Sequence, residues 1–402
     1  MSRRARALAA IAFCALHLGL LVPSVGQTGG PVETDFAPEA EAIESGSKPY
    51  EGQDLEYPPL SIPVLVAPAA PGDSLDSYTT AFQVEMLLFD LAIVLMLALG
   101  VRGGRREVLG ALAVYTLGVV ALSGIVLGDS DIDRAPLALG RFDLVPAALV
   151  LAAMLAREAA RSATWGFLLG VGVAVKAFPL LVLPALARGE MDWRRVAVAA
   201  AAPLLVSVGI VLGWGDDFGT ALSYHGERGL QIESVAATPL EIGAIDDTSK
   251  AAEYGSGSFN YVGPGAEAAR VASVGLLVFL YGLVAWAGWR SPMPRMQYAT
   301  ALLAVVVVLA PVLSPQFLFW LLPVSAAAFG LSFSNVVLIG AAVMTQLMLQ
   351  FYARVTVDFD AEFVWRLAGR NALLLLYLAL VCAPILRSGF SAQVRTAPAP
   401  GN

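Results

Sequence analysis

Residues 166–184, GFLLGVGVAVKAFPLLVLP, contain one charged side chain, Lys176, among eighteen apolar or small residues. Arginines flank the run on both sides, at Arg161 and Arg188. Positive residues concentrate in the cytoplasmic connections of membrane proteins, so both ends of the run belong on the cytoplasmic side. The pattern therefore predicts two short half-spans that meet near Lys176 at the outer surface of a membrane.

Comparable apolar runs recur along the whole chain. The 402 residues are 57% hydrophobic and 14% charged, whereas soluble domains are about 25% charged. A soluble globular domain is thereby excluded, and most of the runs are long enough to cross a hydrocarbon core of about 30 Å. We expect an all-α membrane protein, a polytopic bundle of about twelve helices. The predicted spans cover residues 7–23, 80–100, 108–127, 138–156, 165–175, 177–188, 194–214, 267–289, 297–313, 316–331, 334–351 and 370–387.

The distribution of charge predicts the orientation of these spans. The formal net charge is −7 and the pI is about 5.0, which argues against a nucleic-acid partner. Connections on one side hold fifteen arginines and few acids, whereas the other side holds most of the 32 Asp and Glu residues. By the positive-inside rule, both termini are cytoplasmic and the acidic face is the outer face of the plasma (inner) membrane. Cys14 and Cys382 lie within apolar runs, so neither a disulfide nor a thiolate metal site is predicted.

Two stretches allow alternative topologies. Residues 1–27 have a basic start, an apolar stretch and small residues after it, so they resemble a signal peptide as well as a first span; we expect the span to be retained. Residues 57–70, YPPLSIPVLVAPAA, are apolar but short and contain four prolines. A single crossing there would reverse every later loop, so we expect this segment to dip into the outer leaflet; a short crossing paired with a second one is the alternative.

Two long outer loops, residues 24–79 and 215–266, are the only long connections, and long loops are usually functional or disordered. Aromatic and apolar residues at intervals argue against disorder throughout. We expect a short helix over residues 36–46 in the first loop and a helix over Tyr224–Ser234 in the second, broken at Thr238-Pro239. The chain is predicted to form one transmembrane domain, residues 1–390, followed by a disordered cytoplasmic tail, residues 391–402.

Carboxylates stand at both ends of the first loop. Asp35 follows shortly after the first span, and Glu56 and Tyr57 lie where the chain returns to the membrane. A general base needs such a position, within reach of a hydroxyl proton and partly desolvated. Plain solvation is the alternative for any one acid in so acidic a loop.

Basic and amide side chains in the later parts of the chain suit a phosphate or a sugar. On a helix, His225, Arg228 and Gln231 would share one face at three-residue spacing, and Arg forms charge-assisted hydrogen bonds to phosphate oxygens; the alternative is pairing of Arg228 with Glu227 or Glu233. Lys176 is predicted either to contact a lipid phosphate or to extend to the headgroups.

Five further charged residues are predicted within the membrane or at its boundary. Asp90 falls near the middle of the second span, where we expect it to pair with an arginine or lysine of a neighbouring span. Arg366 and Arg370 are predicted at the outer start of the last span, where they meet a phosphate headgroup or anchor the helix. Arg141 and Asp143, at an outer boundary, are expected to pair in a similar way.

Taken in order, several motifs resemble those of the GT-C superfamily of membrane glycosyltransferases, specifically its bacterial mannosyl- and arabinofuranosyltransferase-like branch, which uses polyprenyl-phosphate sugars. The motifs are Thr34-Asp35, GSKPY (46–50), EYPPL (56–60), GRFDLVPA (140–147), the run 166–184, YHGERGLQIES (224–234) and LSPQFLFWLLP (313–323). Asp35 is followed directly by Phe36 and Pro38, where relatives more often have a tyrosine a few residues on. The resemblance covers nearly the whole chain.

The resemblance implies roles for these residues. Asp35 would be the general base; Lys176 and the basic residues near the outer surface, Arg228, Arg366 and Arg370, would contact the donor phosphate. The implied contacts to sugar and acceptor are Glu56, Tyr57, His225, Gln231, Glu233 and Gln316. A polyprenyl-phosphate sugar would be the donor, most simply of mannose, and a lipid or glycan the acceptor, with inversion at the outer face.

No cofactor is predicted, since no nucleotide-binding loop or clustered acid-histidine spacing is present; a divalent metal at the carboxylates of the outer face is the alternative. Two other functions compete with this one. A transporter or lipid flippase would show interrupted spans in matching halves, and only the pair near Lys176 is interrupted. A catalytically inactive scaffold would retain the same fold.

Overall fold

A computed structural model describes residues 1–50, 55–72, 74–124, 136–214, 219, 228–245, 247, 252–255, 257–351 and 359–396. These residues form α-helices and one β-hairpin. The helices are α1 (Arg3–Leu21), α2 (Ala37–Glu44), α3 (Ser61–Val66), α4 (Leu75–Gly100), α5 (Arg105–Leu122), α6 (Leu144–Glu158), α7 (Ser162–Val175), α8 (Leu183–Ala187), α9 (Trp193–Trp214), α10 (Thr238–Ile242), α11 (Ala266–Arg290), α12 (Arg295–Leu309), α13 (Leu318–Phe329), α14 (Phe333–Leu349) and α15 (Ala361–Thr396). The hairpin pairs β1 (Ala252–Gly255) with β2 (Ser258–Tyr261) in antiparallel register.

Five of the described helices are long and apolar enough to cross a membrane: α1, α4, α9, α11 and α15. Shorter apolar helices coincide with five other predicted spans. Large apolar side chains are exposed on the long helices, for example Leu212 at 82% and Val198 at 74%. Exposed apolar surface of this extent requires lipid around it. The chain is therefore a multi-pass, all-α membrane protein, and the number of twelve spans stays a prediction.

Several predicted boundaries are confirmed. Helix α7 ends at Val175, and Lys176 has an extended backbone, so the chain breaks where two half-spans were expected. In the segment 57–70, α3 and a following 3₁₀ turn comprise nine residues, a length of about 14 Å that is too short to cross a bilayer. Helix α2 occupies the centre of the predicted 36–46 helix.

Other boundaries differ from the prediction. Residues 228–234 are not helical, because Leu230 and Ile232 hydrogen-bond to the β2 strand instead; residues 224–227 lie outside the described part. Thr238 begins helix α10 rather than ending one, and Pro239 occupies the first turn, where its missing N–H costs nothing. Helix α15 begins at Ala361, earlier than predicted, and it includes residues 391–396 of the predicted cytoplasmic tail.

The described residues divide into two compact units, and the single transmembrane domain over residues 1–390 stays a prediction. Unit 1 contains residues 1–180 and 191–228, and unit 2 contains residues 181–190 and 229–402. In unit 1, α7 packs closely on α9 because Gly166 and Gly170 face its backbone; a Cβ at either glycine would lie 2.6 Å from a carbonyl oxygen, that of Val196 or Ala200. Small residues four apart permit such close approach of membrane helices.

A buried polar network joins α1, α4 and α5 within unit 1. Nδ1 of His17 lies 2.6 Å from Oδ2 of Asp90, and Nε2 of His17 lies 2.8 Å from Oγ1 of Thr116. The Tyr115 hydroxyl donates to the other Asp90 oxygen at 2.8 Å. Asp90 therefore pairs with a histidine of the first helix, and the expected pairing with arginine or lysine is wrong.

In unit 2, the hairpin and α15 surround an apolar core. Ile232, Tyr261, Phe359, Phe363 and Leu367 are all at most 4% exposed and pack together there. The backbone of residues 230–232 continues the hairpin through hydrogen bonds to β2. The segment that carries Gln231 and Glu233 is thereby held at the edge of the hairpin.

Candidate active site

Asp35 lies in a π-helical turn, Val32–Phe36, that leads directly into α2. Such turns are rare and frequently mark functional sites. The Thr34 hydroxyl donates to Oδ1 of Asp35 at 2.7 Å, and a guanidinium nitrogen of Arg141 lies 3.9 Å from Oδ2. The Asp35 side chain is 47% exposed, so a hydroxyl group from outside the protein has access to the carboxylate.

The GRFD motif links this carboxylate to the lysine of the opening sequence run. Asp143, two residues after Arg141, stands at the start of α6. Its Oδ1 lies 2.8 Å from Nζ of Lys176, and the two side chains are 2% and 15% exposed. The GRFD motif thus contacts Asp35 through Arg141 and Lys176 through Asp143.

Aromatic rings surround the Lys176 ammonium group. Its Nζ lies 4.8 Å from the ring centre of Phe142 and 5.3 Å from that of Tyr57, within the range of a cation–π interaction. The rings of Tyr57 and Phe142 contact each other edge to face at 4.6 Å, and Phe36 contacts both. Burial, together with the neighbouring Glu56 carboxylate, raises the pKa of Tyr57 well above its ordinary value. Its hydroxyl therefore stays protonated at neutral pH, and it hydrogen-bonds to Glu56.

A third ion pair completes the cluster. Arg228 lies 2.8 Å from Oε2 of Glu56, and the two side chains are 14% and 18% exposed. Two hydrogen bonds fix the motif that carries Glu56: Leu60 N–H donates to the Ala174 carbonyl at 2.9 Å, and the Tyr50 hydroxyl donates to the Tyr57 carbonyl at 2.8 Å.

Unit 1 therefore brings together five of the predicted site residues through a continuous series of contacts. We call this the Asp35 cluster; it consists of Asp35, Glu56, Tyr57, Arg141, Phe142, Asp143, Lys176 and Arg228. Arg141 and Asp143 were expected to pair, and their motif was noted, but nothing in the sequence indicated that they contact Asp35 and Lys176. His225 lies outside the described residues.

The remaining predicted site residues lie in unit 2. Gln231 uses its side-chain amide within the protein, since its nitrogen donates to Glu233 at 2.6 Å and its oxygen accepts from Leu313 N–H at 2.7 Å. It thereby holds the LSPQF motif, in which Gln316 is 9% exposed.

Arg366 and Arg370 lie within α15, which begins nine residues before the predicted start of the last span at residue 370. Arg370 is fully buried within α15 and donates to the Glu233 carbonyl at 2.7 Å. Arg366 donates to the Leu347 carbonyl and lies over the Phe351 ring at 3.9 Å.

Glu241 is a deeply buried carboxylate close to Arg370 and Glu233. It is 0% exposed, and neither carboxylate oxygen has a hydrogen-bond partner among the described residues. Burial raises the pKa of Glu241 well above its ordinary value; Arg370 opposes the shift and Glu233 adds to it. No signal in the sequence marked this residue.

Comparisons with known proteins place the chain in a family. No curated protein matches it. Among solved structures, the crystal structure of ArnT from Cupriavidus metallidurans bound to undecaprenyl phosphate matches at a TM-score of 0.47 and 14% identity, covering 96% of this chain and 77% of that one. The sequence profile of glycosyltransferase family 87 matches residues 55–315. That range begins before EYPPL, contains Lys176 and Arg228, and ends within LSPQF, and we conclude that the chain belongs to glycosyltransferase family 87 and is a membrane glycosyltransferase.

Proposed function

We propose that the protein transfers mannose from a polyprenyl-phosphate donor to a hydroxyl group of a lipid or glycan acceptor on the outer side of the plasma membrane. The observation that carries this proposal is the Asp35 cluster, in which an exposed carboxylate lies beside cations of the kind that a phosphate group requires. The motif resemblance supports the same donor class, and membership of a glycosyltransferase family supports the reaction class.

In this mechanism Asp35 accepts the proton of the acceptor hydroxyl as its oxygen attacks the anomeric carbon. The bond between that carbon and the carrier phosphate oxygen breaks, and the polyprenyl phosphate leaves with the electron pair. A single displacement of this kind inverts the configuration of the sugar. Lys176, Arg141 and Arg228 stabilise the charge that develops on the leaving phosphate.

The other predicted contacts take supporting parts in the proposal. Glu56 and Tyr57, which belong to the Asp35 cluster and hydrogen-bond to each other, contact the sugar. His225, Glu233 and Gln316 stay predicted substrate contacts, and Gln231 acts by holding LSPQF in place. Arg366 and Arg370 stay predicted contacts of the donor phosphate.

The test uses the full chain in lipid nanodiscs with radiolabelled polyprenyl-phosphate mannose and a membrane glycolipid fraction as acceptor. We expect Asp35→Asn to reduce transfer by about 10²- to 10⁴-fold, the usual contribution of a general base. Glu44→Gln, an exposed acid at the end of α2, is the matched control and should retain activity.

Three results would contradict parts of the proposal. Transfer that survives in Asp35→Asn removes this residue from the role of base. If transfer occurs only from a donor that carries another sugar, such as arabinofuranose, the assignment of mannose as the transferred sugar is wrong. Wild-type protein that transfers from no polyprenyl-phosphate sugar overturns the donor class.

A further inference from the structure

The segment between α1 and α2, which carries Asp35, has little conformational stiffness of its own. Three of its glycines have a positive backbone angle φ, in the left-handed region: Gly26 at +85°, Gly29 at +100° and Gly30 at +86°. Glycine permits such turns but constrains the chain least of all residues. A general base must be held closely in position, so the segment requires support from elsewhere in the protein.

Gln83 of α4 provides this support at the beginning of the segment. Its Oε1 accepts from Gly26 N–H at 2.6 Å, and its Nε2 donates to the Gln27 carbonyl at 2.8 Å. The Gln83 side chain is 0% exposed. Both hydrogen-bonding functions of one buried amide are thus directed at two consecutive residues of the segment.

The neighbouring residue of α4 holds the other end. Phe82 is fully buried and its ring lies 5.3 Å from that of Phe36, the residue directly after Asp35. Phe36 is 1% exposed and also contacts the rings of Phe142 and Tyr57. One turn of α4 therefore contacts the segment before and after the carboxylate.

We propose that Gln83 is a positioning residue for Asp35: by binding Gly26 and Gln27, it fixes the glycine-rich segment so that the carboxylate is presented to the acceptor hydroxyl. Gln83 touches no reacting atom, and its effect passes through the backbone of residues 26–35. The inference rests on the proposed function, in which Asp35 is the base. A purely structural amide, which stabilises the helix bundle without affecting the reaction, is the competing explanation.

The discriminating variant is Gln83→Leu, which keeps the approximate size of the side chain and removes both hydrogen bonds. We expect hydrogen–deuterium exchange in the peptide covering residues 24–36 to rise, because the Gly26 amide loses its acceptor. We expect kcat to fall by about 10- to 100-fold, as for a misplacement of about 1 Å, with the KM for the donor changed less than threefold. Gln83→Glu retains the acceptor for Gly26 and should recover part of kcat.

Thr116→Val is the matched control. It removes a buried hydrogen bond to His17 in the same unit without contacting residues 24–36. It should lower thermal stability while leaving both kcat and the exchange of residues 24–36 as in wild type.

The outcomes are distinct for the two hypotheses. If Asp35→Asn retains transfer, the proposed function itself fails. The positioning role is overturned if Asp35→Asn is inactive but Gln83→Leu keeps the wild-type kcat. It is also overturned if Thr116→Val lowers kcat as much as Gln83→Leu does. Increased exchange in Gln83→Leu together with unchanged kcat also overturns it, since the segment would then be loosened without consequence for the base.

Discussion

The ion pair of Lys176 and Asp143 gives the most quantitative prediction. The two atoms are 2.8 Å apart, and the side chains are 15% and 2% exposed, so removing either partner leaves a buried charge. Such single changes cost about 3–5 kcal/mol, and the partial exposure of Lys176 favours the lower end. Lys176→Met also loses its two ring contacts, each worth about 0.5–1 kcal/mol.

The double variant Lys176→Met/Asp143→Asn removes both charges together. We expect each single variant to lose about 3 kcal/mol and the double variant only about 1–2 kcal/mol, which gives a coupling energy of about 4–5 kcal/mol. Unfolding in lipid nanodiscs, followed by near-ultraviolet circular dichroism, measures these differences. If the losses of the two single variants sum to the loss of the double variant within about 0.5 kcal/mol, the two groups do not interact and the argument is refuted. The folded double variant should still bind the donor poorly, because the phosphate has lost a cation.

Three further predictions concern other parts of the chain. Glu241→Gln should match the wild type in stability near pH 4 and exceed it increasingly as the pH rises above about 4.5, because the raised pKa of Glu241 makes ionisation costly in the folded state only; unfolding free energies from pH 4 to 8 test this, and parallel curves would contradict it. Gly170→Ala should destabilise by about 1–3 kcal/mol, since the new Cβ would lie 2.6 Å from the Ala200 carbonyl oxygen, whereas Gly209→Ala, with nothing within 4 Å, should be neutral in the same thermal assay. Intact-mass measurement should find α1 present in the mature protein, because its loss would leave Asp90 buried without His17; a mass that corresponds to cleavage near residue 26 would contradict this.

The fold class was predictable because apolar run length and arginine placement are local properties of the sequence. The break at Lys176 is of this kind, since a charge inside an apolar run and a following proline both disfavour a continuous helix. The start of α15 was not predictable in the same way. Residues 361–369 are amphipathic rather than uniformly apolar, and they become helical because Phe363 and Leu367 pack into the core of unit 2.

The sequence singled out several residues of the Asp35 cluster but did not predict their pairings. Asp35, Glu56 and Lys176 were identified from their positions in loops and spans. Their partners Arg141, Arg228 and Asp143 are separated from them by 33 to 172 residues, and sequence spacing carries no information over such distances. The same reason explains the wrong partner expected for Asp90, since His17 lies 73 residues away. Arg228 was assigned to a helical face, whereas tertiary hydrogen bonds to β2 override helix propensity just after it.

The pairings bear on how a phosphate would be recognised in the proposed reaction. Each cation of the Asp35 cluster has a carboxylate partner: Arg141 with Asp35, Lys176 with Asp143, and Arg228 with Glu56. Three unpaired cations would bind any anion tightly, whereas paired cations interact only moderately with the singly charged phosphodiester of a donor. The leaving phosphate monoester gains a further negative charge as the bond to the sugar breaks. The same cations therefore stabilise the late stage of the reaction more than the bound donor, and interactions of this differential kind are the ones that accelerate a chemical step.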